Sequence, residues 1–169
     1  ARIQARAGSG NQMGTDRHRR RNHSLAFVQF HDPNEALGLA VRLVGASAPF
    51  DRLPLGLTTG LLAHLIDRRD YGFARRGDVA TGFVAYGFVD EDAALEFLRG
   101  VRQLSPADLK TKDAGAGLVF AFRGVDRATT DFLVSRLREV VFRRASTVRY
   151  IRDYGRDGKP PRLVTLRRK

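Results

Sequence analysis

The chain has 169 residues, enough for one domain around a single core, and 43% of them are hydrophobic. With no cysteine it has no disulfide framework, thiolate metal site or cysteine nucleophile, and no apolar run approaches the ~20 residues that span a bilayer. The net charge of +12 sits at the ends: six arginines against Asp16 give residues 1–23 a charge of +5, residues 136–169 carry +9, and the body between them carries −2.

Residues 1–23 read as a basic N-terminal arm, with Gly8, Gly10 and Gly14 breaking any apolar period and Arg17, Arg19, Arg20 and Arg21 closing it. The arginines precede no signal-peptide core, so a cytoplasmic protein is expected. Residues 24–169 read as one domain. A strand is expected over Ser24–Phe30, and Asp32-Pro33 then supplies a cap and a first-turn proline for a helix to Gly45. Residues 55–68 read as a second amphipathic helix. Tyr71–Arg75 and Val79–Val89 read as a hairpin across the turn Arg76-Gly77-Asp78, the second strand too apolar for an edge. Asp90 is expected to cap a helix to Arg99, and residues 104–116 read as a loop before a strand over 117–122. Residues 126–141 have helical spacing, and two closing strands, Thr147–Arg152 and Leu163–Arg167, make a basic C-terminal hairpin. Their alternation places Arg149 and Arg152 on exposed faces. The order predicts an α+β fold with a mixed sheet flanked by helices.

Several motifs share a relative. Glu35–Arg52 carries a Leu-Gly helix running into Ser47-Ala-Pro-Phe-Asp-Arg52, Asp70-Tyr71 precedes Thr81-Gly-Phe-Val-Ala-Tyr-Gly87, and Phe142-Arg143 precedes Arg156-Asp-Gly-Lys159. In this order and spacing, over roughly Glu35 to Leu166, they resemble the hemolysin-activating (RTX toxin-activating) lysine acyltransferases. Those enzymes move a fatty acyl group from acyl carrier protein to lysines of a toxin. The resemblance implies a fold similar to the Gcn5-related acetyltransferases: a twisted mixed sheet, splayed to admit an acyl thioester arm.

The resemblance also exposes a departure. The turn that carries the family's catalytic histidine has Asp51 here, with Ser47 the nearest hydroxyl, and the family's strand aspartate falls at Leu118 or Val119. A lysine nucleophile with a reference pKa near ~10.4 must lose a proton, and a carboxylate near ~3.9 is a far weaker base for that than an imidazole near ~6.5. His64 sits beside Leu65 and reads as a structural histidine. His31 could approach the turn only if the first strand packs beside it.

Three readings follow. An altered acyltransferase would take acyl-acyl carrier protein as co-substrate, need no other cofactor, and dock an acidic carrier on Arg52, Arg143, Arg144, Arg149, Arg152 and Lys159. A catalytically silent subunit would keep the fold for binding or assembly, its arm contacting a neighbour in a larger complex or in a homodimer. A nucleic-acid binder would use charge alone, since no recognised binding signature appears. An anionic membrane surface is a further partner the charge would suit, and no metal-binding spacing is present.

Overall fold

A computed structural model describes residues 24–45, 50–52, 54–99, 101–102, 104–111, 115–152 and 162–167. The expected arm over 1–23 and the residues Ser47 and Lys159 lie outside them. The elements in chain order are β1 (Leu25–Val28), α1 (Pro33–Val44), α2 (Leu55–Asp67), β2 (Tyr71–Arg76), β3 (Val79–Val89), α3 (Glu91–Leu98), β4 (Ala116–Gly124), α4 (Arg127–Arg136), β5 (Thr147–Arg152) and β6 (Arg162–Arg167). The six strands form one sheet in chain order, antiparallel throughout except that β4 and β5 run parallel across the α4 crossover.

Local chemistry explains most boundaries. Asp32 accepts a hydrogen bond from the Asn34 N–H at 2.8 Å, and Pro33 occupies the first turn, so α1 begins where the Asp-Pro pair predicts. Its buried residues Ala36, Ala40 and Val44 form a narrow stripe of small side chains that lets the helix lie close to the sheet. The helix α2 ends in a Schellman arrangement, with Arg69 N–H bonded to Ile66 O at 2.9 Å and Asp70 N–H to Leu65 O at 2.8 Å. The left-handed position belongs to Arg69, at φ 61°, where glycine is usual. Its guanidinium compensates by donating to Phe30 O at 2.6 Å. The strand β1 is shorter than expected: its ladder ends at Val28, and the next residue, Gln29, uses its side-chain Nε2 to donate to Arg69 O and Tyr71 O. Gly77, at φ 60°, opens the tight turn between β2 and β3.

Two other expectations need correcting. Asp90 stands at the start of α3 without a side-chain capping bond, and its carboxylate pairs instead with Lys110 Nζ at 3.0 Å. The helix expected over 126–141 stops being α-helical at Arg136. A π turn over Leu137–Val141 follows, closed by Phe142 N–H donating to Leu137 O at 2.7 Å.

The sheet has an apolar cluster on each face. Helices α1, α2 and α3 cover one around Tyr71, Phe73, Phe83 and Leu118, and α4 covers the other around Val84, Phe88, Leu133 and Phe142. From Thr81 to Val89, β3 is buried at every residue, the central position its apolar run predicts. Gly82 faces Gly124 across the β3–β4 ladder. A Cβ on Gly82 would come within 2.6 Å of Thr129, and one on Gly124 within 2.5 Å of Thr130, so this bare patch lets the first turn of α4 sit against the sheet.

Candidate functional site

The parallel ladder between β4 and β5 has two rungs, Gly117–Val148 and Leu118–Arg149. Both strands then run on, β4 to Gly124 and β5 to Arg152, without a further rung. The divergence has a cause in β4 itself. On its other side the register passes from Tyr86–Val119 to Ala85–Ala121, so Phe120 has no partner and forms a β-bulge. A bulge bends its strand and sharpens its twist, and this one follows the last shared rung by two residues. The result is a wedge with its apex at Leu118–Arg149 and its mouth at the carboxyl ends of β4 and β5, where ligands of open α/β sheets bind. Along the wedge, backbone N–H and C=O groups of β4 face β5 without a ladder to occupy them.

The apex is closed differently on the two faces. On the α4 face, the Phe142 ring lies on Gly117, where a Cβ would meet it at 2.5 Å. The rings of Tyr86 and Phe88 hold it at centroid distances of 5.9 and 5.5 Å. On the opposite face, Arg149 is not the exposed docking residue that strand alternation suggested. Its side chain is 6% exposed, and it bonds Glu91 Oε1 of α3 and, at 2.9 Å, Thr165 Oγ1 of β6. The alternation is correct, but α3 covers the face on which Arg149 falls. Its Nε is buried without a hydrogen-bond partner.

The expected basic cluster divides between the two ends of β5. Arg143 and Arg144 are exposed in the turn before the strand, and Arg152 is exposed at its end. At ~3.3 Å per residue the strand separates them by about 17 Å, too far to hold one phosphate together. The mouth has basic residues that sequence reasoning missed: Arg162, opposite Arg152 on β6, Arg123 near the end of β4, and Arg127 at the start of α4, with its side chain 95% exposed. Their common signal is adjacency to the carboxyl ends of the two diverging strands, which needs the register to be seen. The first turn of α4 is itself occupied. Asp126 accepts from the Thr129 N–H at 2.7 Å and pairs with Arg76 at 3.1 Å. The Thr129 hydrogen bonds first, and then Arg76, hold this carboxyl below its usual range.

The structure also places the residues that the resemblance matched to the catalytic pair of the toxin-activating enzymes. Asp51 lies in a 3-10 turn, Phe50–Arg52, between α1 and α2, and is exposed, while the neighbouring Phe50 packs against the core. The backbone of Arg52 completes that turn. Leu118 is wholly buried on the face covered by α1 and α2, and Val119 points to the opposite cluster. The two positions thus share a side of the sheet, with an exposed carboxylate at one and a core leucine at the other. His64 is half-buried with its Nε2 unpaired, and His31 is exposed. Tyr86 is pushed up to about 12, by burial first and by the Asp70 carboxylate second. Among the described residues no cluster of three His, Cys, Asp or Glu could hold a metal ion, and no helix is long and apolar enough to cross a membrane.

No protein-family model and no curated protein matches the chain. Among solved structures it is similar to the GphF GNAT-like decarboxylase in complex with isobutyryl-CoA, with 13% identity and a TM-score of 0.50 over 76% of this chain. The match spans 65% of that structure's length. The loading GNATL domain of CurA from Lyngbya majuscula gives 12% identity and a TM-score of 0.47, covering 81% of this chain and 70% of that one. The ribosomal-protein-alanine N-acetyltransferase from Brucella melitensis biovar Abortus 2308 gives 18% and 0.34, covering 69% and 72%. A mixed six-stranded sheet flanked by four helices and split between β4 and β5 is the fold of the Gcn5-related acetyltransferases, and this chain has it.

Proposed function

We propose that the protein binds the thioester-bearing arm of an acyl carrier in the β4–β5 wedge, as a lysine acyltransferase-like protein of the toxin-activating kind whose transfer step is crippled or lost. The observation that carries this reading is the ladder that stops at Leu118–Arg149 while both strands continue. An extended arm containing amides can lie in such a gap as an added strand, bonding to backbone groups that have no ladder partner. The slot along Val119–Gly124 is about 17 Å long, which suits an elongated arm better than a compact ligand. The basic mouth suits the phosphate such an arm carries, and the acyl-CoA held by the GphF structure points to the same ligand class.

These residues supply little of the chemistry that transfer needs beyond binding. An exposed Asp51 is a poor base for an ammonium group, and Leu118 offers no partner carboxylate. Losing a positioned acid/base group costs ~10² to 10⁴ in rate. The same observations favour a second form of the proposal, a non-catalytic subunit that holds an acylated carrier within an assembly. Titration with acyl-CoA and with acyl-acyl carrier protein, followed by mass analysis of an acceptor protein, tests both. Saturable binding without acyl-lysine supports the silent form, and turnover supports the enzyme. Absence of binding to either ligand sinks the whole reading. Asp51→His is the variant for restoring transfer, because adding a carboxylate at the fully buried Leu118 would desolvate a charge and endanger the fold.

A further inference from the structure

We infer that Phe120 is the end wall of the acyl compartment and sets the longest acyl chain the wedge accepts; this rests on the acyl-thioester reading above. An arm entering at the carboxyl ends of β4 and β5 runs toward the apex, where the strands pair again at Leu118–Arg149 and leave no room between them. The acyl chain must therefore leave the plane of the sheet through one face. On the α4 face the way is blocked by Phe142, locked on Gly117 by the π turn and by two neighbouring rings. At the apex of the other face lies the Arg149–Glu91 pair, which an alkyl chain would have to desolvate.

Between these barriers, on the face opposite α4, β4 presents the apolar ring of Phe120. Phe120 is the bulge residue, so its backbone is not held by a β3 partner, and its ring is 6% exposed on the face opposite α4. The ring rests against Phe97 of α3 at 5.8 Å and over Gly87, where an added Cβ would meet both Phe120 and Leu109 at 3.0 Å. The partly buried apolar residues Phe97, Leu98, Leu104 and Leu109, the last two on the connection between α3 and β4, pack against the same core cluster as Phe120. Removing the Phe120 ring would join this apolar region to the wedge. Leaving it in place stops the chain at the bulge.

The test measures affinity across an acyl-CoA series from acetyl to palmitoyl for the whole protein and for Phe120→Ala. Each methylene that enters apolar surroundings should tighten binding about fourfold until the wall is met, after which the gain stops. The expected result is that this break moves to chains several carbons longer in Phe120→Ala, and by a smaller step in Phe120→Leu, which also serves if the alanine variant does not fold. A break that stays in place in both Phe120 variants overturns the inference while leaving acyl-thioester binding intact. No binding at any chain length by the unaltered protein fails the underlying reading as well.

Discussion

From β2 to β4 the strands are paired along most of their length and the side chains of β3 are almost all buried, whereas β5 meets β4 through two rungs and β6 is exposed at nearly every residue. The first region is laddered and apolar on both faces. The second is held to it by the α4 crossover, the short apex ladder and the ion pair of the buried Arg149 with Glu91. Stability and ligand access make opposite demands on a sheet, and the molecule meets them in different strands. Continuous ladders leave no backbone groups for a ligand, and a gap that can admit one gives up the hydrogen bonds and packing that would close it.

Damage to the closed region should therefore cost most. Phe83 is fully buried among Tyr71 and Phe73, and Phe83→Ala is expected to lose about 3–5 kcal/mol in urea unfolding, through lost transfer energy and the cavity left behind. Acyl-thioester affinity of the molecules that remain folded should be unchanged. A loss under about 1 kcal/mol would mean that the β2–β4 core is not what holds the sheet together.

The tether at the apex should cost less, and its two partners should differ. Glu91→Ala leaves the buried Arg149 with Thr165 but no counter-charge, at a cost of about 1–3 kcal/mol, while Arg149→Met replaces the charge by an apolar side chain and leaves Glu91 half-exposed to water. Arg149→Met should be within about 1 kcal/mol of the parent, and combining it with Glu91→Ala should recover most of what Glu91→Ala alone loses. Urea midpoints of the three variants read this directly. Equal damage from both single changes would show that the pair attracts strongly enough to outweigh its own desolvation.

The closed region was also the legible one. An eleven-residue apolar run marked β3 as central, Asp32-Pro33 marked the start of α1, and Arg76-Gly77-Asp78 marked the hairpin, because each signal lies within a few residues of what it controls. The open region was not legible in the same way. Alternation gives the face of Arg149, but its burial depends on Glu91, 58 residues earlier in the chain. Arg143, Arg144 and Arg152 are neighbours in sequence, yet a strand separates them in space. The wedge depends on where a register stops and on a bulge at Phe120, and neither the bulge nor the π turn that aims Phe142 has a residue signature of its own. The resemblance to the toxin-activating enzymes implied the twisted mixed sheet that the structure has, but it did not reveal the basic mouth residues Arg123, Arg127 and Arg162.

The smallest expected effect lies where the two regions meet, at the first turn of α4. Asp126 caps that turn and pairs with Arg76 of β2, so its carboxylate is stabilised in the folded state. Because its folded pKa is lowered, its contribution is complete above the ordinary carboxylate value near ~3.9 and is lost as the pH falls through the lower folded value. The melting temperature of Asp126→Ala should therefore fall short of the parent's at pH 7, with the gap closing toward pH 2 as the parent's carboxyl is protonated. Affinity should move the other way at neutral pH. The same substitution exposes the Thr129 N–H and removes a negative charge beside Arg127, so a phosphate-bearing thioester should bind more tightly to the less stable protein. If stability and affinity fell together, the first turn of α4 would be a structural joint and the phosphate would be held by the arginines of β5 and β6 alone.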